Sequence, residues 1–256
     1  IAPAGPPVRR TQEIKPLKVF TTPAGETVFD LGQNMVGWVR IRVQGPAGTK
    51  IKVTHAEVLD QKGNFYTANL RSAKCELNYT LKGDSIETYE PHFTFMGFRY
   101  VRLEGWPGTP EVDNITGVVV HSDMPNAGTF ESSKPLINQL QKNIVWGQIG
   151  NFVDVPTDCP QRDERLGWTG DAQAFSCTAA YNYQVAGFFN KWLNDLIADQ
   201  GAPPLDEPVD AVRHHRPLAV AEVLAEQVDL GLGSGHDVGA HALRQCVPHP
   251  RVDPDA

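Results

Sequence analysis

Long apolar runs, closely spaced cysteines and an excess of positive charge are all missing from this 256-residue sequence. No apolar run approaches the roughly 18 residues of a membrane helix, so we predict no membrane partner. The four cysteines form no C-x-x-C pair, which argues against a disulfide framework or a structural zinc site. A net charge of −7 argues against a nucleic-acid partner.

The N-terminus has neither an initiating Met nor the charged and apolar regions of a signal peptide. We therefore expect the chain to begin inside a longer protein or to have been processed. Together with the sparse cysteines, the missing signal peptide favours a cytoplasmic location.

Residues 15 to about 120 alternate apolar and polar side chains with a period of two, as half-buried strands do. The clearest runs are Val39–Val43, Lys50–Val53 and Lys74–Leu81. Glycine-containing turns separate them. This pattern predicts an antiparallel β-sandwich of the jelly-roll kind over 15–121, preceded by an extended segment over 1–14.

Helical spacing replaces this alternation after residue 121. Three helices are expected in the segment 122–200: one through Leu136–Val145, one from Asp171 to Ala179, and one beyond Val185. The third has the strongest apolar stripe, formed by Phe188, Phe189, Trp192, Leu193, Leu196 and Ile197. Strands followed by helices indicate two domains.

Aromatic side chains stop at Trp192, and lysines stop at Lys191. The segment 201–256 instead holds five of the eight histidines and seven of the twenty prolines, a poor source of core. We predict a disordered tail with one amphipathic helix over 218–230, or a product of a reading-frame change. The coding DNA decides between them.

The most informative run is Asp158-Cys-Pro-Gln-Arg-Asp-Glu-Arg-Leu-Gly-Trp-Thr-Gly-Asp171. If Gln161–Trp168 is helical, Glu164 and Trp168 lie one turn apart on one face. Acids in unequal environments beside an aromatic ring suit general acid catalysis on a sugar. A solvated helix face with Asp158 as its N-cap is the alternative from spacing alone.

The segment Val155–Gln173 resembles the signature of bacterial α-L-rhamnosidases, a family of inverting glycoside hydrolases. Two further segments, Asp30–Trp38 and Phe93–Val101, resemble β-domain motifs of that family in the right order. The resemblance covers roughly residues 10–200 and implies that the helices begin an (α/α)₆ catalytic barrel, with no cofactor.

By this resemblance, Glu164 is the general acid, and Asp158 and Asp171 bind the rhamnose hydroxyls. Arg162 matches a cation that contacts the sugar or tunes charge, and Trp168 matches an aromatic wall. Asp163 and Arg165 are expected to form ion pairs on the helix. Cys159 is expected to be a buried small side chain rather than a nucleophile.

An inverting enzyme also needs a base, at about 6.5–9.5 Å from the acid. In the family this is a glutamate from a later barrel hairpin, and we expect the resemblance to end near 200–201, before it. The parent enzyme would then hydrolyse terminal α-L-rhamnose from a glycoside or polysaccharide, while this chain alone is inactive. The alternative is a non-catalytic carbohydrate-binding or structural fragment.

Other signals are weak. The run Gly231–Gly235 follows no strand, and the tail histidines complete no metal-ligand set. Trp38 and Trp106 are expected to pack at the core or rim rather than face a sugar. An open apolar face on the third helix would promote self-association unless the tail covers it.

Overall fold

The structure, a computed structural model, describes residues 5–83 and 85–201, and within these ranges strands precede helices. The strands are β1 (Val8–Ile14), β2 (Lys18–Thr21), β3 (Thr27–Val43), β4 (Lys50–Ala56), β5 (Val58–Leu59), β6 (Phe65–Tyr66), β7 (Glu76–Thr80), β8 (Glu87–Tyr89), β9 (Met96–Glu104), β10 (Ile115–Ser122), β11 (Phe152–Val153) and β12 (Val155–Pro156). The helices are α1 (Pro135–Asn151), α2 (Thr169–Asn182) and α3 (Ala186–Gly201), and two 3₁₀ turns lie at Ala68–Leu70 and Val112–Asn114.

Eight strands form one curled antiparallel sheet in the order β1-β10-β3-β9-β4-β7, with β2 and β8 also paired to β3. The two ends of β3 have different neighbours. Its first residues, Thr27–Asp30, pair with β2 and β9, whereas Ile41–Val43 pairs with β8 and Gly37–Ile41 with β10. This 17-residue strand therefore changes its pairing partners along its length.

Gly37 is the residue of β3 that pairs with both β9 and β10. Its φ of 151° lies in a region that favours glycine, and an added Cβ would fall 1.9 Å from the carbonyl oxygen of Val118. A register shift between Asp30 and Met35 bends the same strand. The core is built from alternate strand residues, such as Val39, Ile41 and Val43, as the period-2 pattern predicts.

The strands predicted over 15–121 and the three helices predicted over 122–200 are confirmed, with small changes of boundary. The N-terminal segment contributes β1, which pairs with β10 from Val8↔Ser122 to Ile14↔Gly117. Trp38 and Trp106 pack against the core, as expected, and the indole of Trp38 donates to Glu90 Oε2 at 3.2 Å.

Two compact units divide the chain. One contains Val8–Asp123 and Lys142–Leu166, and the other contains, among the described residues, 5–7, 124–141 and 167–201. The first unit, called the sandwich unit below, therefore includes the C-terminal part of α1 and the chain up to Leu166. The second, called the helical unit, contains α2 and α3.

Four of the six residues in the apolar stripe of α3, namely Phe188, Phe189, Trp192 and Leu193, are buried. Their aromatic rings contact one another, with Phe188 and Phe189 at 5.6 Å between centroids. Ile197 remains 58% exposed. Self-association through this face stays a prediction, with a smaller apolar patch to support it, and the 218–230 tail helix lies outside the described residues.

Cys75 and Cys159 are free. Among the described helices, none has both the length and the apolar character needed to cross a membrane.

Candidate functional site

A tight hairpin, formed by β11 and β12, connects the end of α1 to Asp158. Strands β11 and β12 pair across Asp154, which has a φ of 68° and donates its backbone N–H to Ser122 Oγ at 3.0 Å. Aspartate tolerates this left-handed conformation better than most residues. Thr157 then donates both its backbone N–H and its hydroxyl to the carbonyl oxygen of Asn151, at 2.7 and 2.9 Å. The residue before Asp158 is thus fixed to the helix end.

The predicted helix over Gln161–Trp168 is wrong. The segment is a series of turns and irregular backbone, and α2 begins only at Thr169. Arg165 has a φ of 59°, which an α-helix does not accommodate. Asp158 is therefore not a helix N-cap, and Glu164 and Trp168 do not share a helical face.

Contacts with the sandwich replace the missing helical hydrogen bonds. The Cys75 thiol donates to the carbonyl oxygen of Gln161 at 3.2 Å. The Arg165 guanidinium lies 4.8 Å from the Phe95 ring centroid, a cation–π contact instead of the predicted ion pair. A Cβ on Gly97 would fall 2.8 Å from Gln161 Cβ, so the loop rests directly on β9.

The Asp30–Trp38 motif lies on β3 and contacts β9 through strand pairing and through a side-chain ion pair. Asp30 is 5% exposed and accepts two hydrogen bonds from Arg99, at 2.8 and 3.0 Å, and one from the Gly32 N–H at 2.7 Å. Val36 pairs with Gly97 across β3 and β9. The three segments that resemble family motifs therefore meet in one part of the sandwich unit.

The structure brings three of the five predicted site residues together. Donor atoms of Asp158, Cys159 and Glu164 all lie within 4.8 Å of one another. Arg162 Nη2 lies 2.5 Å from Glu164 Oε2. Two carboxylates and a guanidinium thus converge on one half-buried spot.

Polar atoms at this spot are poorly satisfied. Asp158 Oδ1, Arg162 Nε and Glu164 Oε2 are buried atoms without a hydrogen-bond partner among the described residues. Glu164 Oε2 lies within ion-pair distance of Arg71 and Arg162, although neither contact has hydrogen-bond geometry. Both contacts are ion pairs, because the attraction between opposite charges does not depend on the angle. Buried polar atoms are nearly always paired, so such atoms call for a partner.

Two residues that the sequence patterns did not single out complete the surroundings of Glu164. Arg71 Nη1 lies 3.3 Å from Glu164 Oε2, and Ser72 donates to Asp163 Oδ2 through its backbone N–H and its hydroxyl. Asp163 is therefore structural, as expected, but it binds the sandwich rather than a helix neighbour. No spacing in the sequence links residues 71–72 to 163–164, so only the fold reveals this contact.

Cys159 is unsuited to act as a nucleophile. Burial, followed by the charge of Asp158 and with a smaller contribution from Glu164, raises the pKa of its thiol to about 11 against the opposing effect of Arg162. The thiol therefore stays protonated near neutral pH. Since a metal-bound thiol must be deprotonated and two guanidinium groups contact Glu164, the three donor side chains do not suit a metal ion either.

Trp168 and Asp171 belong to the helical unit, at the start of α2. Trp168 has an extended backbone and is partly exposed, and its carbonyl oxygen accepts from the Ala172 N–H at 3.1 Å. Asp171 is exposed in the first turn, where a carboxylate also favours the helix dipole.

Two family models match this chain. One, described as the bacterial alpha-L-rhamnosidase concanavalin-like domain, matches residues 20–121. The other, described as the bacterial alpha-L-rhamnosidase 6 hairpin glycosidase domain, matches residues 125–216. Their order confirms the predicted fold class, a sandwich followed by helices of a second domain. The second match continues past 200–201, where the resemblance was expected to end.

Known proteins agree with these matches. An α-L-rhamnosidase of Streptomyces avermitilis is 54% identical over 196 residues, covering 77% of this chain and 19% of that protein. The crystal structure of the Streptomyces avermitilis α-L-rhamnosidase complexed with L-rhamnose superposes with a TM-score of 0.76 at 53% identity, covering 79% of this chain and 20% of that one. For native α-L-rhamnosidase from Aspergillus terreus the TM-score is 0.75 at 52% identity, with 78% and 23% covered. The chain thus spans about a fifth of the length of these proteins.

Proposed function

Because this chain belongs to the bacterial α-L-rhamnosidase family, we propose that it is part of an enzyme that hydrolyses terminal α-L-rhamnose from rhamnosides with inversion. Glu164 is the general acid that protonates the glycosidic oxygen. Asp158, Arg162 and Asp171 bind the sugar hydroxyls, and Trp168 packs against the 6-deoxy edge of the ring. The substrate is a rhamnose-containing glycoside or polysaccharide.

The buried atoms Asp158 Oδ1 and Arg162 Nε, which have no hydrogen-bond partner among the described residues and lie beside the ion-paired Glu164, carry this proposal. A ring of sugar hydroxyls supplies both donors and acceptors, and it would satisfy this carboxylate oxygen and the guanidinium N–H together. Charge-assisted hydrogen bonds of this kind are stronger than neutral ones.

Asp158 is too close to Glu164 to serve as the base of an inverting reaction. Their carboxylate oxygens lie within 4.8 Å, whereas an inverting pair needs about 6.5–9.5 Å to admit water. We therefore assign Asp158 to sugar binding and the base to a residue other than Asp158. The 256 residues alone are expected to bind rhamnose weakly and not to hydrolyse rhamnosides.

The test compares the chain alone with a hybrid enzyme. In the hybrid, residues 20–200 replace the aligned segment of the Streptomyces avermitilis enzyme. With an aryl α-L-rhamnoside, we expect turnover from the hybrid and none from the chain alone. Glu164→Gln in the hybrid should lower kcat by about 10²–10⁴-fold, the usual contribution of a general acid, while Glu131→Gln, an exposed control, should not.

The anomer of the released sugar separates the mechanisms. Proton NMR of the first product should show β-L-rhamnose, which inversion requires. An α anomer would instead favour Asp158 as a nucleophile, since retaining pairs are about 5–5.5 Å apart. Rhamnose binding by the wild-type hybrid without any turnover would support the alternative, a non-catalytic carbohydrate-binding fragment.

A further inference from the structure

We propose that Arg71 and Ser72 are positioning residues for Glu164, so that the sandwich, and not only the loop around the acid, sets the orientation of the acid. This inference rests on the proposed role of Glu164. It adds two residues from a different part of the sequence to the site.

Ser72 fixes the neighbour of the acid. Its hydroxyl donates to Asp163 Oδ2 at 2.5 Å and its backbone N–H donates to the same oxygen at 3.3 Å. The Ser72 hydroxyl is the main reason that the pKa of Asp163 is lowered, so this carboxylate stays charged and bound. Asp163 adjoins Glu164, so the hydrogen bonds hold the backbone from which Glu164 projects.

Arg71 contacts the acid itself. Its Nη1 lies 3.3 Å from Glu164 Oε2 and 3.8 Å from Asp163 Oδ1, bridging the two carboxylates. Arg71 follows the 3₁₀ turn Ala68–Leu70 with a φ of 56° and a ψ of −121°, a backbone conformation that non-glycine residues rarely adopt. Such strain persists where the surrounding structure holds it in place, and it is frequent at functional sites.

Two guanidinium groups thus contact one oxygen of Glu164, but they come from different places. Arg162 belongs to the same loop as Glu164 and lies two residues before it. Arg71 comes instead from the 3₁₀ turn of the sandwich, so its contact ties the Glu164 carboxylate to a part of the chain outside the loop. When Arg162 turns toward a sugar hydroxyl, Arg71 keeps the acid oriented toward the glycosidic oxygen.

The first test uses the 256-residue chain and does not depend on activity. The side-chain carboxyl resonance of Glu164 is followed by ¹³C NMR and assigned by its loss in Glu164→Gln. We expect Arg71→Gln to shift this resonance, Ser72→Ala to broaden or shift it, and Arg71→Lys to restore it largely. The control Arg9→Gln removes an exposed arginine that pairs with Asp123, and it should leave the resonance in place. An Arg71→Gln spectrum that matches the Arg9→Gln spectrum overturns the proposal.

The second test measures the consequence for turnover in the hybrid enzyme. Arg71→Gln should lower kcat by about tenfold or more, because a displaced catalytic group loses rate steeply, with KM little changed and with rescue by Arg71→Lys. An unchanged kcat in Arg71→Gln overturns the positioning role while Glu164→Gln still tests the acid. If Glu164→Gln retains full activity, the proposed function fails, and the positioning role fails with it even though the NMR contact stands.

Discussion

Gly97 of β9 lies directly against Gln161, in the loop that carries Arg162 and Glu164. The gap leaves no room for a side chain at Gly97, since a Cβ would come within 2.8 Å of Gln161 Cβ and 3.1 Å of its backbone. The glycine of the Phe93–Val101 motif therefore packs directly against the Val155–Gln173 motif. Its φ is not in the left-handed region, so space and not backbone freedom requires glycine here.

Gly97→Ala should therefore lower the free energy of unfolding by about 1–3 kcal/mol through overpacking. Gly147→Ala is the matched control, because Gly147 is an exposed residue within α1 with no atom near the added methyl group. That substitution should stabilise by about 0.5–1 kcal/mol. Urea unfolding measures both, and destabilisation of equal size in the two variants would refute the close contact at Gly97.

The buried pair of Asp30 and Arg99 should contribute strongly to stability. Although burial alone acts to raise it, the hydrogen bonds from Arg99 and from the Gly32 N–H hold the pKa of Asp30 below its usual value. We expect Asp30→Asn to cost about 2–3 kcal/mol, less than a fully buried pair because the Arg99 side chain is 38% exposed. Asp113→Asn, in the exposed pair with Lys15, should change stability by less than about 0.5 kcal/mol in the same urea titration.

His55 should make the sandwich sensitive to acid. It is fully buried, its Nδ1 lies 2.8 Å from the Cys75 carbonyl oxygen, and its Nε2 has no partner among the described residues. Burial lowers the pKa of His55 to about 4 from a usual 6.5. Below pH 6.5 the unfolded chain takes up a proton that the folded chain does not, so stability falls between pH 6.5 and 4, by about 3 kcal/mol in total.

Urea unfolding at pH 7, 6, 5 and 4.5 measures this loss. In His55→Leu the stability should vary less with pH over that range, whatever its value at pH 7. His92→Gln, at an exposed histidine, is the control and should leave the wild-type slope unchanged. A slope in His55→Leu equal to that of wild type would show that other groups dominate.

Cys159 should report the charges of the candidate site. Because burial and then Asp158 raise the pKa of its thiol to about 11, and Glu164 adds to the effect, Asp158→Asn should lower this pKa and Glu164→Gln should lower it by less. Each unit of lowering gives about tenfold more thiolate at pH 9. Iodoacetamide alkylation, followed at Cys159 by peptide mass spectrometry, should therefore be fastest in Asp158→Asn. Glu131→Gln, at an exposed residue outside this loop, should alkylate at the wild-type rate.

The regular elements were predictable from sequence because their side-chain periods are local. The alternation of Val39, Ile41 and Val43 is enough to place β3, and the spacing from Leu136 to Val145 is enough to place α1. The loop over 161–168 was not predictable in this way. Its charged residues have the composition of an exposed helix, but Ser72, Cys75 and Phe95 bind Asp163, Gln161 and Arg165, and these tertiary contacts outweigh local preference.

The residues of the candidate site likewise fall into two groups, those with a local sequence signal and those that only tertiary contacts reveal. The resemblance of Asp158–Asp171 to a family signature was sufficient to choose Asp158, Arg162 and Glu164, which the fold brings together. Arg71 and Ser72 were missed because a single arginine and serine at the end of a 3₁₀ turn carry no local signal. A contact between residues so distant in sequence depends on the pairing of strands, which a single sequence does not reveal.

The pairing of β1 with β10 has a consequence for how the protein is made. Val8 lies opposite Ser122, and the sheet includes residues from both ends of the sandwich. During synthesis, β1 leaves the ribosome before β10 and lacks this partner until more than a hundred residues have followed. At about 5–20 residues per second, this strand waits unpaired for several seconds or more, and its exposed edge must be kept from other chains until β10 arrives.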